Sequence, residues 1–572
     1  MIQPKYVTLT GLFADRVFRV PAYQRFYSWQ NKQREDLFND ITNLAQIPGD
    51  GHHFMATIVC HDTGEKAAVG STEYRVFEVV DGQQRITTLV IMLRAVAKKL
   101  GDSEDKKEVE TLLVKRDGHL LLLQTNNANQ ALFNEYLRTG AIPTKDQIKT
   151  HADRNLKNGI VECEAFVEKW IGTGKGLLDL LRLVKNRLGF VVYDTEDRRA
   201  VYTVFEVLNS RGLDVDWLDK CKSMLMGRAY ETAQNDTSRT AALQEIEAIW
   251  GNIYGRVAVF PVSGQEVLRV TASIRCESDA GKPLSAEAAL SSLKALCTSS
   301  AKAREVSTWL YKTADCLVKL EEQRHLGPVA DVLQARVLAV ALMQAEQLSD
   351  SDRVKCLDQW ERVTFRVYGL LRKDARTKVG EYVRLSRRIV RKEAGACTFS
   401  EVVNALRQLG ADCPIEKAVE DGLARKNCYE GFENECRYLL WRYEEYMAKK
   451  AGSEVNKELR AIIWEERSAA ETIEHIYPQN PASPGPWDNK LKAGESVGNH
   501  VHRIGNLLLL PKSLNSEAQR KAFVEKKQAY AKSEGLRIVK AVIEKTDWTQ
   551  SEIEQRETEI ITWAKATWGD LP

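Results

Sequence analysis

A chain of 572 residues is longer than one hydrophobic core can organise, so about two to four domains are expected. With 44% hydrophobic residues, 28% charged residues and a mean hydropathy of -0.37, its composition is globular and excludes disordered and fibrous classes. A net charge of only +3 excludes a whole-molecule field as the source of nucleic-acid affinity, which would have to come from local basic patches.

Residues 1–21 contain no basic stretch leading into an uninterrupted apolar core, so neither a signal peptide nor a transit peptide is expected. The longest apolar runs, such as residues 507–510, are far too short to span a bilayer, and no membrane partner is expected. Eleven scattered cysteines with no Cys-x-x-Cys pair read as reduced thiols in a cytoplasmic protein and argue against a zinc finger or ribbon.

Up to about residue 100, short apolar segments alternate with turn signals and end in a helical stretch over 86–100, an α/β or α+β pattern. Residues 74–80 predict a strand, Asp81-Gly82 a tight turn, and 86–93 the start of the helix that follows. Two apolar runs within 112–125 flank Arg116-Asp117-Gly118 and predict a hairpin, because Asp-Gly supplies the positive φ angles of a primed turn. A further strand is predicted over 188–193, then a helix over 199–208 and the compact segment Asn209-Ser-Arg-Gly-Leu-Asp214.

Between about 226 and 455 the pattern becomes long amphipathic helices, a mainly helical connecting domain. Within it, residues 361–392 carry eleven basic residues, Arg384, Arg387 and Arg388 among them, interleaved with Phe365, Tyr368 and Tyr382. Such a segment suits a DNA backbone, and suits a solvated helix face as well. The prolines and glycines of 478–498 mark a loop inside a last domain over 456–572.

That last domain reads Thr472-Ile-Glu-His-Ile-Tyr-Pro-Gln479, a Pro/Gly-rich loop, His502-Arg-Ile-Gly-Asn-Leu-Leu-Leu-Leu-Pro511, then Asn515 opening a helical stretch over 517–530. Phosphodiester hydrolysis needs a base to activate water, a divalent metal to neutralise charge, and a scaffold to hold the base. His475 can be the base, since a neutral imidazole accepts a proton at physiological pH. The order strand, loop, strand, helix, with a histidine on the first strand and asparagines on the second and on the helix, is similar to the HNH or His-Me finger nucleases. That resemblance makes Glu474 and Asn515 ligands of Mg²⁺ or another divalent metal, and makes Asn506 the residue that fixes the histidine-bearing loop. Adjacent strand residues point to opposite faces, so Glu474 and His475 can share one site only if the strand bends there, as Pro478 would allow. His500 and His502 are spare candidates for metal or phosphate contact, and His502 and Arg503 are candidate DNA contacts.

In the segment Val80-Asp-Gly-Gln-Gln-Arg-Ile-Thr-Thr-Leu89, Gly82 stands where a strand meets a helix N-terminus, with backbone N–H groups and a positive dipole end free to hold phosphates. Arg85 can add a bidentate contact. Upstream, Val20-Pro-Ala-Tyr-Gln-Arg-Phe-Tyr-Ser-Trp29 supplies Gln24 and Arg25, hemmed by aromatic rings. These two segments, followed by Phe205-Glu-Val-Leu-Asn-Ser-Arg-Gly-Leu-Asp214, closely resemble the ParB/sulfiredoxin-like domain of GmrSD-type modification-dependent (type IV) restriction enzymes.

The resemblance covers roughly residues 1–225 and 455–572 and implies a multidomain α+β protein. Its parts would be a ParB-like α/β domain that binds and hydrolyses a nucleoside triphosphate (GTP, ATP or CTP), a helical middle, and a ββα-metal HNH nuclease domain. By resemblance Asp81, Gly82, Gln83, Gln84 and Arg85 handle phosphates, and Gln24 and Arg25 make a second nucleotide contact or sense the modification. Asn209, Arg211 and Gly212 match a third family motif. The implied function is nucleotide-regulated cleavage of modified phage DNA in anti-phage defence, with a homodimer as an open expectation. The rivals are a nucleotide-dependent DNA-binding clamp, which metal-dependent nicking would exclude, and a nuclease whose first domain only recognises modified bases, which phosphate release would exclude.

Overall fold

The computed structural model describes residues 4–571 apart from 50, 116–119, 126–128, 198–199, 202–203, 205–215, 277–280, 324–328, 330, 466–467 and 534. The chain forms two compact units, Met1–Ala272 with Ser285–Val318, and Ser273–Leu284 with Lys319–Pro572. This corrects the expectation of a separate helical middle over 226–455, whose helices are divided between the two units. The physical reason is that an amphipathic helix must bury its apolar stripe on something. Helix α3 (Asp236–Val257) buries Ile246, Trp250, Ile253 and Tyr254 in the first unit and packs on α2 (Trp217–Thr232). In the second unit the Asp350–Thr364 helix packs on the Gln550–Trp568 helix.

The first unit is built on a six-stranded mixed sheet in the order β1-β6-β3-β4-β2-β5. The strands are β1 (Lys5–Thr8), β2 (Arg16–Val20), β3 (His53–Val69), β4 (Thr72–Asp81), β5 (Leu123–Thr125) and β6 (Leu188–Thr195). Strand β2 runs parallel to β4 and β5, and β3 pairs antiparallel with β4. Helix α1 (Gln83–Lys99) follows β4, as the Asp81-Gly82 turn predicts, and is buried on nearly all sides against the sheet and the His151–Gly172 helix. Gly82 caps it with φ +88°, and a Cβ there would fall inside contact distance of Ile58 Cδ1 and 3.3 Å from Thr57 O, so only glycine fits.

The predicted hairpin is present in short form: Val114 bridges Leu121 antiparallel, Lys115 N donates to Leu120 O at 2.8 Å and Leu122 N to Leu113 O at 2.9 Å, while its turn lies outside the described residues and its first arm begins as the end of the Glu104–Leu113 helix. Ser103, which accepts a hydrogen bond from Lys106 N, starts that helix with Glu104 and Asp105 in its first turn, a capping signal stronger than the strand pattern. Most of the helix predicted over 199–208, and the motif residues Asn209, Arg211 and Gly212, lie outside the described residues.

In the second unit β7 (Ile473–His475) pairs antiparallel with β8 (Leu507–Leu509), followed by α4 (Lys512–Ala518) and α5 (Phe523–Ala531). The predicted order of strand, loop, strand and helix is present. The helix predicted over 517–530 is two helices, parted at Gln519, whose φ is +39°. The basic segment 361–392 is divided: Arg366 and Arg387 are buried, whereas Arg372, Lys373, Arg376, Arg384, Arg391 and Lys392 are exposed. Phe365, Tyr368 and Tyr382 are buried, Arg366 pairs with Asp570 at 2.8 Å, Arg387 is buried with Nε on Ser273 O at 2.8 Å, and Arg388 binds Ala394 O at 2.7 Å. Arg387 is thus buried on a backbone carbonyl, which corrects its DNA-contact expectation, whereas Arg388 is half-buried and Arg384 exposed. All eleven cysteines are free thiols, and among the described residues no helix is long and apolar enough to cross a membrane.

Candidate active site

Strand β7, the loop after it and α4 enclose an open cleft of about 400 Å³, lined among others by Tyr429, Glu474, His475, Gln479, Asn515 and Arg520. His475 is the last residue of β7 and its register partner is Leu507. The chain beyond it is held by Asn506, which is fully buried and uses its whole side-chain amide. Its oxygen accepts from Tyr477 N at 2.8 Å and Trp548 Nε1 at 3.0 Å, and its nitrogen donates to Tyr477 O and Val501 O, both at 2.9 Å. Ile476 N also donates to Asn506 O at 3.0 Å. Removing that amide would orphan four buried groups, so Asn506 sets the path of the backbone on which His475 sits.

The His475 imidazole is only 7% exposed. Burial, helped by His502 and Lys526, pushes its pKa down to about 3, so the ring is neutral at physiological pH and in this environment holds an added proton only weakly. Its Nε2 lies 3.3 Å from His502 Nδ1, and the Gln479 amide nitrogen lies 3.0 Å from its Nδ1. The Tyr429 ring packs edge-on against it, with centroids 4.6 Å apart.

Glu474 and Asn515 line the same cleft as His475, so neighbouring strand residues do meet one space here, at the strand's end. Glu474 Oε1 accepts from Lys526 Nζ at 2.6 Å and Tyr530 OH at 2.9 Å. Burial raises its carboxyl pKa, and Lys526 opposes that rise. Lys526, itself buried, also donates to His475 O at 2.9 Å, tying the carboxylate to the histidine's backbone. Asn515 spends both amide protons on Glu471 O at 3.0 Å and Ile473 O at 3.1 Å, which leaves its oxygen as the donor atom. A carboxylate and an amide oxygen on one cleft are hard oxygen donors, of the kind that suits a hard cation keeping most of its waters. Among the described residues no cluster of three or more His, Cys, Asp or Glu could cage a metal, so the donor set does not suit zinc.

At the N-terminus of α1 the motif residues are arranged differently. Gln24 is buried with Nε2 on Val80 O at 2.9 Å and Oε1 taking Lys222 Nζ at 3.0 Å. Gln84 donates to Phe26 O at 3.0 Å and accepts from Ser28 N at 2.9 Å, while Gln83 donates to Arg25 O at 3.1 Å. These side chains clamp the 23–28 segment onto α1. Gln24 and Gln84 are both buried and each spends its amide oxygen and one N–H on the chain.

Arg25 pairs with Asp219 at 3.2 Å and Asp216 at 3.5 Å, and Asp219 also faces Lys222 at 3.6 Å and accepts from Tyr254 OH. Against the effect of burial, Arg25 and Lys222 hold the Asp219 carboxyl below its usual range. Asp81 accepts from Gly82 N at 2.7 Å, and burial raises its pKa to about 6. Arg85 is exposed, its guanidinium 5.9 Å from the Trp29 ring centroid. The cavity between these segments, lined by Arg25, Gln83, Gln84 and Thr87, holds about 20 Å³, room for one water and not for a nucleotide.

Of the remaining expected DNA contacts, Arg503 is committed to Glu557, and His502 is turned onto His475. His500 Nε2 pairs with Glu495 at 3.1 Å, away from any metal role. Residues missed by the sequence reading are Tyr429, Gln479, Arg520, Lys526 and Tyr530 at the cleft, and Asp216, Asp219, Lys222 and Tyr254 around Arg25. Gln479 stands four residues after His475 in the same motif and is legible there; Tyr429 lies in a turn far upstream with no motif of its own.

The chain matches the GmrSD restriction endonuclease N-terminal domain over residues 9–226 and the GmrSD restriction endonuclease C-terminal domain over residues 414–563. The second match begins well before the predicted last domain and takes in Tyr429. No individual curated protein matches the chain. The two matches span most of the chain, in the order and near the positions that its motifs indicate, and the chain belongs to the GmrSD restriction endonuclease family.

Proposed function

We propose that the second unit is an HNH-type endonuclease that hydrolyses a DNA phosphodiester with His475 as general base. The observation that carries this reading is the convergence of His475, Glu474 and Asn515 on one cleft, with Asn506 locking the backbone beside the histidine. His475 takes a proton from water, the oxygen adds to phosphorus as the bond to the leaving oxygen breaks, and that oxygen recovers a proton from solvent. Glu474 and Asn515 would hold a divalent cation, which when bound supplies positive charge against the scissile phosphate and the leaving oxygen. Arg520, exposed on the cleft wall, would bind a flanking phosphate.

The first unit would bind a nucleoside triphosphate at the N-terminus of α1, with the exposed Arg85 as the phosphate contact, and regulate cleavage. Modified DNA, as carried by phages, is the proposed target. The test is a cleavage panel of unmodified, hydroxymethylated, glucosylated and phosphorothioate DNAs with Mg²⁺ or Mn²⁺, with and without GTP, ATP and CTP. Cutting of at least one modified DNA, changed by one triphosphate, is expected. No cutting of any DNA under any condition would leave the DNA-binding clamp as the better reading.

A further inference from the structure

Two groups at the edge of the cleft are unused by that reading, His502 and Glu430. His502 Nδ1 stands 3.3 Å from His475 Nε2, and His502 Nε2 faces Glu430 Oε1 at 3.5 Å. The carboxylate decides where the protons lie. It can only accept, so it favours the proton of a neutral His502 on Nε2, and Nδ1 is left as an acceptor. The partner that satisfies this acceptor is an Nε2–H on His475. A neutral His475 carrying its proton on Nε2 has its lone pair on Nδ1, the ring nitrogen nearer the Gln479 amide donor, which stands 3.0 Å from Nδ1 and 3.4 Å from Nε2.

One turn supplies the frame. Tyr429 lies parallel to the His502 ring, at 5.7 Å and 7°, and edge-on to His475, at 4.6 Å and 85°. Its backbone N–H donates to His502 O at 3.1 Å, so the same two consecutive residues present the ring that wedges both imidazoles and the carboxylate that orients one of them.

We propose that Glu430 and His502 are positioning residues for the endonuclease: they fix His475 in the tautomer whose Nδ1 is the base, and they hold its Nε2–H while positive charge builds on the ring. This rests on the nuclease reading of His475. The arrangement follows the general logic in which a base is oriented by a third group on its other nitrogen, here an imidazole backed by a carboxylate.

The experiment is single-turnover nicking of a cleavable DNA with Mg²⁺ by the full chain and four variants. His502→Asn keeps an oxygen acceptor near the place of Nδ1, His502→Leu removes it, Glu430→Gln removes the charge, and His475→Ala removes the base. His502→Leu should lose about 10–100-fold in the nicking rate with little change in half-saturating DNA, as partners that orient another ligand or base do. His502→Asn should stay within about fivefold of the wild type, and Glu430→Gln should fall between the two. Equal rates for the Leu and Asn variants, both high or both low, would overturn the proposal. Glu430 is 58% exposed, so its variant is expected to fold even if the Leu variant does not, and a wild-type rate for it would overturn the carboxylate's part. A His475→Ala variant that still nicks sinks the nuclease reading itself, whereas an inactive His475→Ala beside a fully active His502→Leu sinks this inference alone.

Discussion

At the N-terminus of α1 the motif side chains are turned on one another, around a cavity of about 20 Å³, whereas at the end of β7 they are turned on an open cleft of about 400 Å³. Gln84 and Asn506 illustrate the contrast. Both are buried amides with both ends satisfied by the chain. Asn506 thereby frees its neighbour His475 to meet the cleft, while Gln84 and Gln24 close the motif around themselves and leave Arg85 to face solvent. The same residue types can present a reactive group or seal a seam, and the difference lies in which partner they satisfy.

Each region also has a buried lysine on a carboxylate, and breaking either tests how far the two sites are alike. The largest effect is expected for Lys526→Met, which strands Glu474 in the interior and should cost about 3–5 kcal/mol of second-unit stability in denaturant unfolding. A loss under about 1 kcal/mol would mean the pair is solvated and the cleft more open than described. Next comes Gly82→Ala, which forces a Cβ onto Ile58 at a positive φ and should cost about 2–3 kcal/mol, read as a lowered melting transition of the first unit.

Asp81 gives a pH test. Its folded pKa, about 6, lies above the ordinary carboxylate value of 3.8, so its contribution is complete below pH 3.8 and is lost as pH rises through 6. Asp81→Asn keeps the oxygen that accepts from Gly82 N. The variant should therefore gain stability relative to the wild type between pH 4 and 7, by about 1–3 kcal/mol, and a melting difference that does not change with pH would place Asp81 in water. The smallest effect separates the cleft from the basic segment. Arg520→Ala should reduce the salt slope of DNA affinity by about one, and Arg387→Ala should leave that slope unchanged while lowering the melting temperature.

Much of the cleft around His475 was legible because its signals are local. The strand at Glu474-His475, the Asn506 lock and the helix bearing Asn515 follow one another within about forty residues, and pleat and turn chemistry place them. Tyr429 and Glu430 were illegible because they reach His502 from some seventy residues upstream, through packing that no periodicity encodes. In the first unit the turn at Gly82 was readable from its residue types. The burial of Gln24 and Gln84 was not, since a glutamine that clamps backbone and one that holds phosphate look the same in a string. Within the basic run over 361–392 the string does not separate Arg366 and Arg387, buried on internal partners, from Arg372, Arg376 and Arg384, which face solvent.

The most direct test is metal-dependent nicking of a supercoiled DNA that the wild type cuts, by wild type and by His475→Ala matched for melting temperature. The wild type should nick with Mg²⁺ or Mn²⁺ and not with chelator, and the variant should lose about 10²–10⁴-fold in rate. Nicking by His475→Ala within tenfold of the wild-type rate would contradict the account at its centre.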